Sequence, residues 1–183
     1  MAFEIPPAPA RAKPRLALEL HATFASPLDN HSLCPSGVGC VLQSGGGLGG
    51  SLERRWPTGL GAFGAYDVWF LDSDSVYELG VQQAFRGGVR YTMPTENIFH
   101  PLFDVSLGVM GYGDTFRVAT VGALVEFFAG GEVELSATFG VRAGIGLRVF
   151  TVSPFRTERD SIERGQSGVF AEMFLAQMGL TVM

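Results

Sequence analysis

The chain has 183 residues, enough for one domain, with 13 basic and 18 acidic residues and a formal net charge of −5. That balance excludes the basic stripe a nucleic-acid partner requires, and none is expected. A membrane-spanning helix is excluded too, because the most apolar stretch, Ala119 to Val152, is broken by Glu126, Glu132, Glu134, Arg142 and Arg148.

Met1 to Arg15 (MAFEIPPAPARAKPR) has no continuous apolar core and is rich in proline. Residues 1–14 therefore read as an extended tail, the start that a mature sequence with an added initiator methionine would present. Arg15 to Phe24 is the first predicted strand, with Leu16, Leu18, Leu20, Ala22 and Phe24 on one face and Glu19, His21 and Thr23 on the other. A polar loop follows to about Ser44. Gly45 to Arg55 is a glycine-dominated strand, and Trp56-Pro57-Thr58-Gly59 a tight turn. Leu60 to Leu71 sets Leu60, Ala62, Tyr66, Val68 and Phe70 against Asp67, with Phe63 and Trp69 on the acid's side. After a turn at Asp72 to Ser75, Tyr77, Leu79, Val81, Phe85, Val89 and Tyr91 share a parity opposite Glu78, Gln82, Arg86 and Arg90. Pro94 to Asn97 turns the chain again. Phe99 to Gly111 places Phe103, Val105, Leu107 and Val109 against His100, Asp104, Ser106 and Gly108. Tyr112 to Arg117 is read as a loop, Val118 to Ala129 as a strand, and Gly130-Gly131 as a hairpin.

Residues 132 to 149 alternate almost without fault: Glu132, Glu134, Arg142 and Arg148 with small or polar residues on one parity, Val133 to Val149 apolar on the other. Wound as a helix, the charges would scatter around the whole circumference. A period of two over such a length predicts one long, two-faced strand. Ser153 to Ser167 is then a charged loop, and Gly168 to Val182 closes the chain.

About eight strands with alternating short and long connections predict a closed antiparallel up-and-down transmembrane β-barrel over residues 15–183. Alternation alone leaves a soluble lipocalin-like carrier open, apolar inside and polar outside. Two features favour lipid outside. Mean hydropathy is positive, and Lys13 is the only lysine among the 13 basic residues. Exposed sheet in water usually carries lysine, whereas arginine suits a crowded interior where one guanidinium bridges several carboxylates. Glycines also gather on the charged parity, at Gly80, Gly88, Gly108, Gly122, Gly140, Gly144 and Gly146, where small residues leave room for arginines across a narrow lumen.

From Arg15 to Met183 the pattern, with FDVSLGVMGY (Phe103 to Tyr112) and VGALVEFF (Val121 to Phe128), resembles the eight-stranded outer-membrane β-barrel proteins of Gram-negative bacteria, the OmpA-like and OmpW-like group. The resemblance implies residence in the bacterial outer membrane, with its lipid bilayer as the principal partner. Members of that group usually end in phenylalanine; this chain ends in Met183, after Gly179-Leu180-Thr181-Val182.

The charged parity collects Glu19, Glu53, Arg55, Asp67, Glu78, Arg86, Arg90, Asp104, Glu126, Glu134, Arg142 and Arg148. Acids and bases in comparable numbers predict a self-paired network that fills the lumen, since an eight-stranded barrel is just wide enough for its own side chains. The expected role is then non-enzymatic, structural or interaction-based, with a ligand or protein met at the loops 25–44 and 153–167. A narrow path for ions or small solutes is the alternative, and a lipid-modifying enzyme a distant one. His21 near Glu19, and His100 with Asp104 and Ser106, are the candidates for such chemistry, though both sets lie on the lumen parity. No cofactor or metal is expected. Gly45 to Gly50 lacks the lysine and helix of a phosphate loop, and His21, His31 and His100 have no zinc spacing. Cys34 and Cys40 are read as a disulfide closing a small loop; two free thiols or a metal half-site are the other readings.

Overall fold

The computed structural model describes residues 14–31, 33–165 and 170–183. Among the described residues ten strands form: β1 (Arg15–Asp29), β2 (Gly45–Arg55), β3 (Leu60–Leu71), β4 (Gly80–Thr92), β5 (Phe99–Asp114), β6 (Arg117–Glu134), β7 (Phe139–Thr151), β8 (Phe155–Arg156), β9 (Glu163–Arg164) and β10 (Phe170–Val182). Eight close a barrel in the order β1-β10-β7-β6-β5-β4-β3-β2, every neighbour antiparallel, while β8 and β9 form a small separate hairpin. The expected tail 1–14, apart from its last residue, lies outside the described residues, as do 166–169 of the last loop and strand.

The faces sort as a membrane barrel requires. Leu18, Leu20, Leu107, Val109 and Ile145 are exposed on the outer wall, while Glu19, Glu53, Asp67, Arg142 and Arg148 are buried inside. This is the inverse of a lipocalin, which removes the soluble-carrier alternative. Aromatic rings stand exposed at both rims: Tyr91, Phe99, Phe103 and Phe139 toward the tight turns, and Phe24, Phe70, Phe116 and Phe170 toward the longer loops. Two such girdles bracket the apolar band of outer-membrane barrels.

The long strand expected over 132–149 is two strands. β6 runs through Gly130 and Gly131 to Glu134, residues 135–138 turn, and β7 starts at Phe139. The alternation survives the turn because Glu134 pairs with Gly140 and Glu126 with Arg148. Antiparallel partners project to the same face, so even-numbered residues stay inside on both strands. The Gly130-Gly131 hairpin signal is thereby corrected: Gly130 sits against the backbone of Ala143 and Gly144, where a Cβ would meet the Ala143 carbonyl at 2.2 Å. The expected loop at Tyr112 to Arg117 is also mostly strand. β5 continues to Asp114, and Thr115 and Phe116, both with positive φ (46° and 67°), make a two-residue turn. That is the mirror-image geometry that matches strand twist, reached here without its usual glycine, which hid it. β1 in turn continues past Phe24 to Asp29, and β4 starts at Gly80 rather than Tyr77.

Inward parity changes twice around the wall. Odd residues face inward on β1 to β3 and β10, even residues on β4 to β7, because Asp67 pairs with Ala84 and Gly179 with Arg142.

Candidate functional site: the charged lumen

The lumen charges stand on inward positions of seven strands, β1 to β7, and the shear of the barrel brings far-apart positions level. The tier nearer the tight turns is built on Glu19, Glu53 and Glu132 with Arg55, Arg90 and Arg142. Arg55 holds Glu132 with a two-pronged contact, Nη1 to Oε1 at 2.9 Å and Nη2 to Oε2 at 3.0 Å, and its Nε donates to Glu53 Oε1 at 3.0 Å. Arg142 donates to Glu132 Oε2 at 2.6 Å, to Glu53 Oε2 at 3.3 Å and to Glu19. Arg90 reaches Glu19 and Glu53, each at 3.1 Å, and Asp104 Oδ2 at 2.9 Å through Nε. Ser51 and Gln177 also donate to Glu19, each at 3.1 Å.

The second tier lies toward the loops. Asp67 accepts from Arg86 Nε at 2.8 Å and Arg148 Nη2 at 3.0 Å, and its other oxygen lies 2.9 Å from His21 Nε2. Glu126 pairs with Arg148 at 2.6 Å and with Arg86 at 3.1 Å. The Arg148 guanidinium lies 3.8 Å from the centre of the Trp69 ring, and Arg90 4.7 Å from that of Phe63, adding cation–π attraction. Gly49 makes the second tier possible, because a Cβ there would lie 2.4 Å from both His21 Nε2 and Asp67 Oδ1. Every charge in both tiers is bridged by opposite charge, as burial of a charge demands.

Above the tiers the lumen turns apolar. Leu71, Met110, Tyr112, Leu124, Phe150, Met173 and Leu175 project from the wall, and the loops insert Leu33, Val41, Leu42, Val76, Tyr77 and Phe155 among them. The loops are tied together. Tyr112 donates its hydroxyl to the Val41 carbonyl, Cys40 N donates to Asp74 Oδ2 at 3.1 Å, Arg164 Nη2 to the Gly39 carbonyl at 3.0 Å, and Arg159 to the Ser75 carbonyl. A disulfide joins Cys34 to Cys40. Outside the membrane span, the Arg164 guanidinium bonded to Asp160 holds that carboxyl below the usual carboxylate range, and burial pushes the Tyr77 phenol up to about 12.

Ten of the twelve expected lumen charges meet in these two tiers. Glu78 does not: it is exposed in the loop before β4, because the strand starts two residues later and the expected parity has no wall to act on there. Glu134 sits at the turn-side rim, 3.8 Å from His100. Glu132, not counted among the twelve, is fully buried and central to the first tier. Its parity was the available signal. Of the histidines, His21 belongs to the second tier, whereas His100 Nδ1 lies 3.2 Å from Thr95 Oγ1, and Asp104 is held by Arg90 instead.

No protein-family model matches the chain, and no curated protein matches its sequence. Solved structures do match in shape. Neisserial surface protein A superposes with a TM-score of 0.63 over 93% of this chain and 98% of its own, at 11% identity. The outer membrane protein OprG of Pseudomonas aeruginosa gives 0.60 over 91% and 94%, at 9% identity. This chain has the outer-membrane barrel fold. The N-terminal β-barrel domain of Pseudomonas aeruginosa OprF, at a TM-score of 0.50, 11% identity and coverage of 91% and 96%, is similar as well.

Proposed function

We propose that the protein is a non-enzymatic component of the bacterial outer membrane, closed to ions and acting through its loops. The observation that carries this reading is the double filling of the lumen. Arg142 and Arg148 are about 1% or less exposed, each among carboxylates from other strands, and the loop-borne Leu33, Val41 and Leu42 are equally buried in the apolar tier beyond them. An ion entering from either end would have to displace a guanidinium from its paired carboxylates or open an apolar constriction. The outer wall supports the membrane placement, since its apolar residues have no other partner than hydrocarbon. The loops, fastened to one another and to the lumen, then form a rigid platform suited to binding a ligand or protein.

Planar-bilayer recording tests this. The refolded protein is expected to insert without unitary conductance steps at neutral pH. Steady, reproducible steps from a homogeneous preparation would replace the closed barrel by the narrow channel.

A further inference from the structure

The outer wall carries a groove whose shape the protein's own packing does not require. Gly64 and Gly87 are directly paired on β3 and β4, on the lipid-facing parity. Most inward glycines are forced, as at Gly49. These two are not: a Cβ at Gly64 would meet nothing within 4 Å, and one at Gly87 only the Phe63 carbonyl at 3.6 Å. Neither has the positive φ that favours glycine. Glycine weakens a strand interior and gives up a side chain that could contact lipid, so two together cost stability without an internal reason. They floor an open, shallow groove of about 660 Å³ walled by Leu52, Leu107, Tyr66 and Phe85.

The loop-side end of the groove is polar. Tyr66 and Phe85 pair there with ring centroids 4.5 Å apart, and the Tyr66 hydroxyl donates to Gln83 Oε1 at 2.9 Å. That bond leaves the Gln83 NH₂ group without an acceptor among the described residues. Gln83 pairs with Val68, one outward step below Phe70 of the loop-side girdle. An amide donor at that depth, just inside the girdle, needs an acceptor from the bilayer, because an unmet polar group in hydrocarbon is costly. We propose that the groove binds one acyl chain of a lipid in the loop-side leaflet, its ester carbonyl accepting from Gln83 and its methylenes lying over Gly64 and Gly87. A second barrel does not suit the same surface. Leu107 and Phe85 are 70% and 63% exposed and stand as ridges that would hold a convex wall off the floor, whereas a narrow, flexible chain reaches it.

The inference rests on the membrane reading, and one experiment separates the two. The full chain is folded into phosphatidylethanolamine vesicles containing a trace of phosphatidylethanolamine with a diazirine in its acyl chain, irradiated, and mapped by peptide mass spectrometry. Protection from added protease reports insertion in the same samples. Labelling is expected to concentrate on β3 and β4, and Gly64→Val with Gly87→Val should reduce it to the level of the remaining wall. Gln83→Leu should lower it roughly two- to twelvefold, the factor of one net hydrogen bond. An ether-linked probe lacking the carbonyl should lower it equally on the unaltered protein, so the result does not depend on any variant folding. Inserted protein labelled evenly around its wall, or equal labelling by ester and ether probes, would overturn the site. Crosslinks between two copies through this face would assign it to a dimer instead. Protein that fails to insert would overturn the membrane reading itself.

Discussion

At the scale of single residues, Arg142 concentrates the electrostatics of the lumen, because it touches Glu19, Glu53 and Glu132 at once. Arg142→Met leaves three buried carboxylates short of a partner. It should lower stability in denaturant unfolding by about 3–5 kcal/mol, the usual cost of stranding one side of a buried pair. Glu132→Gln added to it should restore part of the loss, and a double-mutant cycle measures that coupling. In the loops, Asp160 is held below the ordinary carboxylate range by Arg164. A depressed folded-state value gives stability that is full above the unfolded-state value and is lost as pH falls through the folded one. The tie from Arg164 to the Gly39 carbonyl should therefore persist through mildly acidic pH and fail only in stronger acid. Hydrogen exchange of residues 155–165 against pH checks this, and Asp160→Asn should raise exchange there at neutral and mildly acidic pH, with the difference closing in strong acid.

At the scale of elements, β7 shows how the bilayer decides the value of an exposed apolar residue. Ile145 on β7 and Leu135 in the preceding turn are exposed to similar extents, 56% and 66%. Ile145 faces the apolar band, while Leu135 lies at its edge. Ile145→Arg should destabilise the barrel by roughly 2–4 kcal/mol, and Leu135→Arg by about 0–1 kcal/mol, following the depth dependence of charge on a lipid face. Equal costs would mean that the wall is not in lipid. The loop carrying Cys34 and Cys40 is a second such element. Its apolar residues fill only the loop-side part of the lumen, and the two charged tiers lie beyond it. Cys34→Ser with Cys40→Ser should therefore raise protease sensitivity in that loop without producing conductance across a planar bilayer.

For the whole molecule, apolar residues outside and paired charges inside mean that no aqueous folded state hides the wall. The protein should remain insoluble in plain buffer and fold on adding detergent or vesicles, seen as the appearance of β-sheet circular dichroism. A monodisperse, detergent-free monomer would contradict this. Closure follows from the same division of faces, since each hairpin keeps one parity toward the lumen or changes it through its register.

The sequence by itself determined the architecture, because a period of two is local: every strand carries its own apolar and charged faces, and eight of them leave few ways to hide both. That locality also explains the misplaced turn in 132–149, where an in-phase register let the pattern run through a hairpin unbroken. Which charge meets which was decided only in three dimensions. Arg55 and Glu132 are 77 residues apart, and Arg142 and Glu19 123 apart, brought level by barrel closure and shear rather than by anything in either strand. Leu33, Val41 and Leu42 likewise look like ordinary residues of a polar loop. They belong to the lumen because the loop folds inward, where the apolar mouth of the barrel removes them from water.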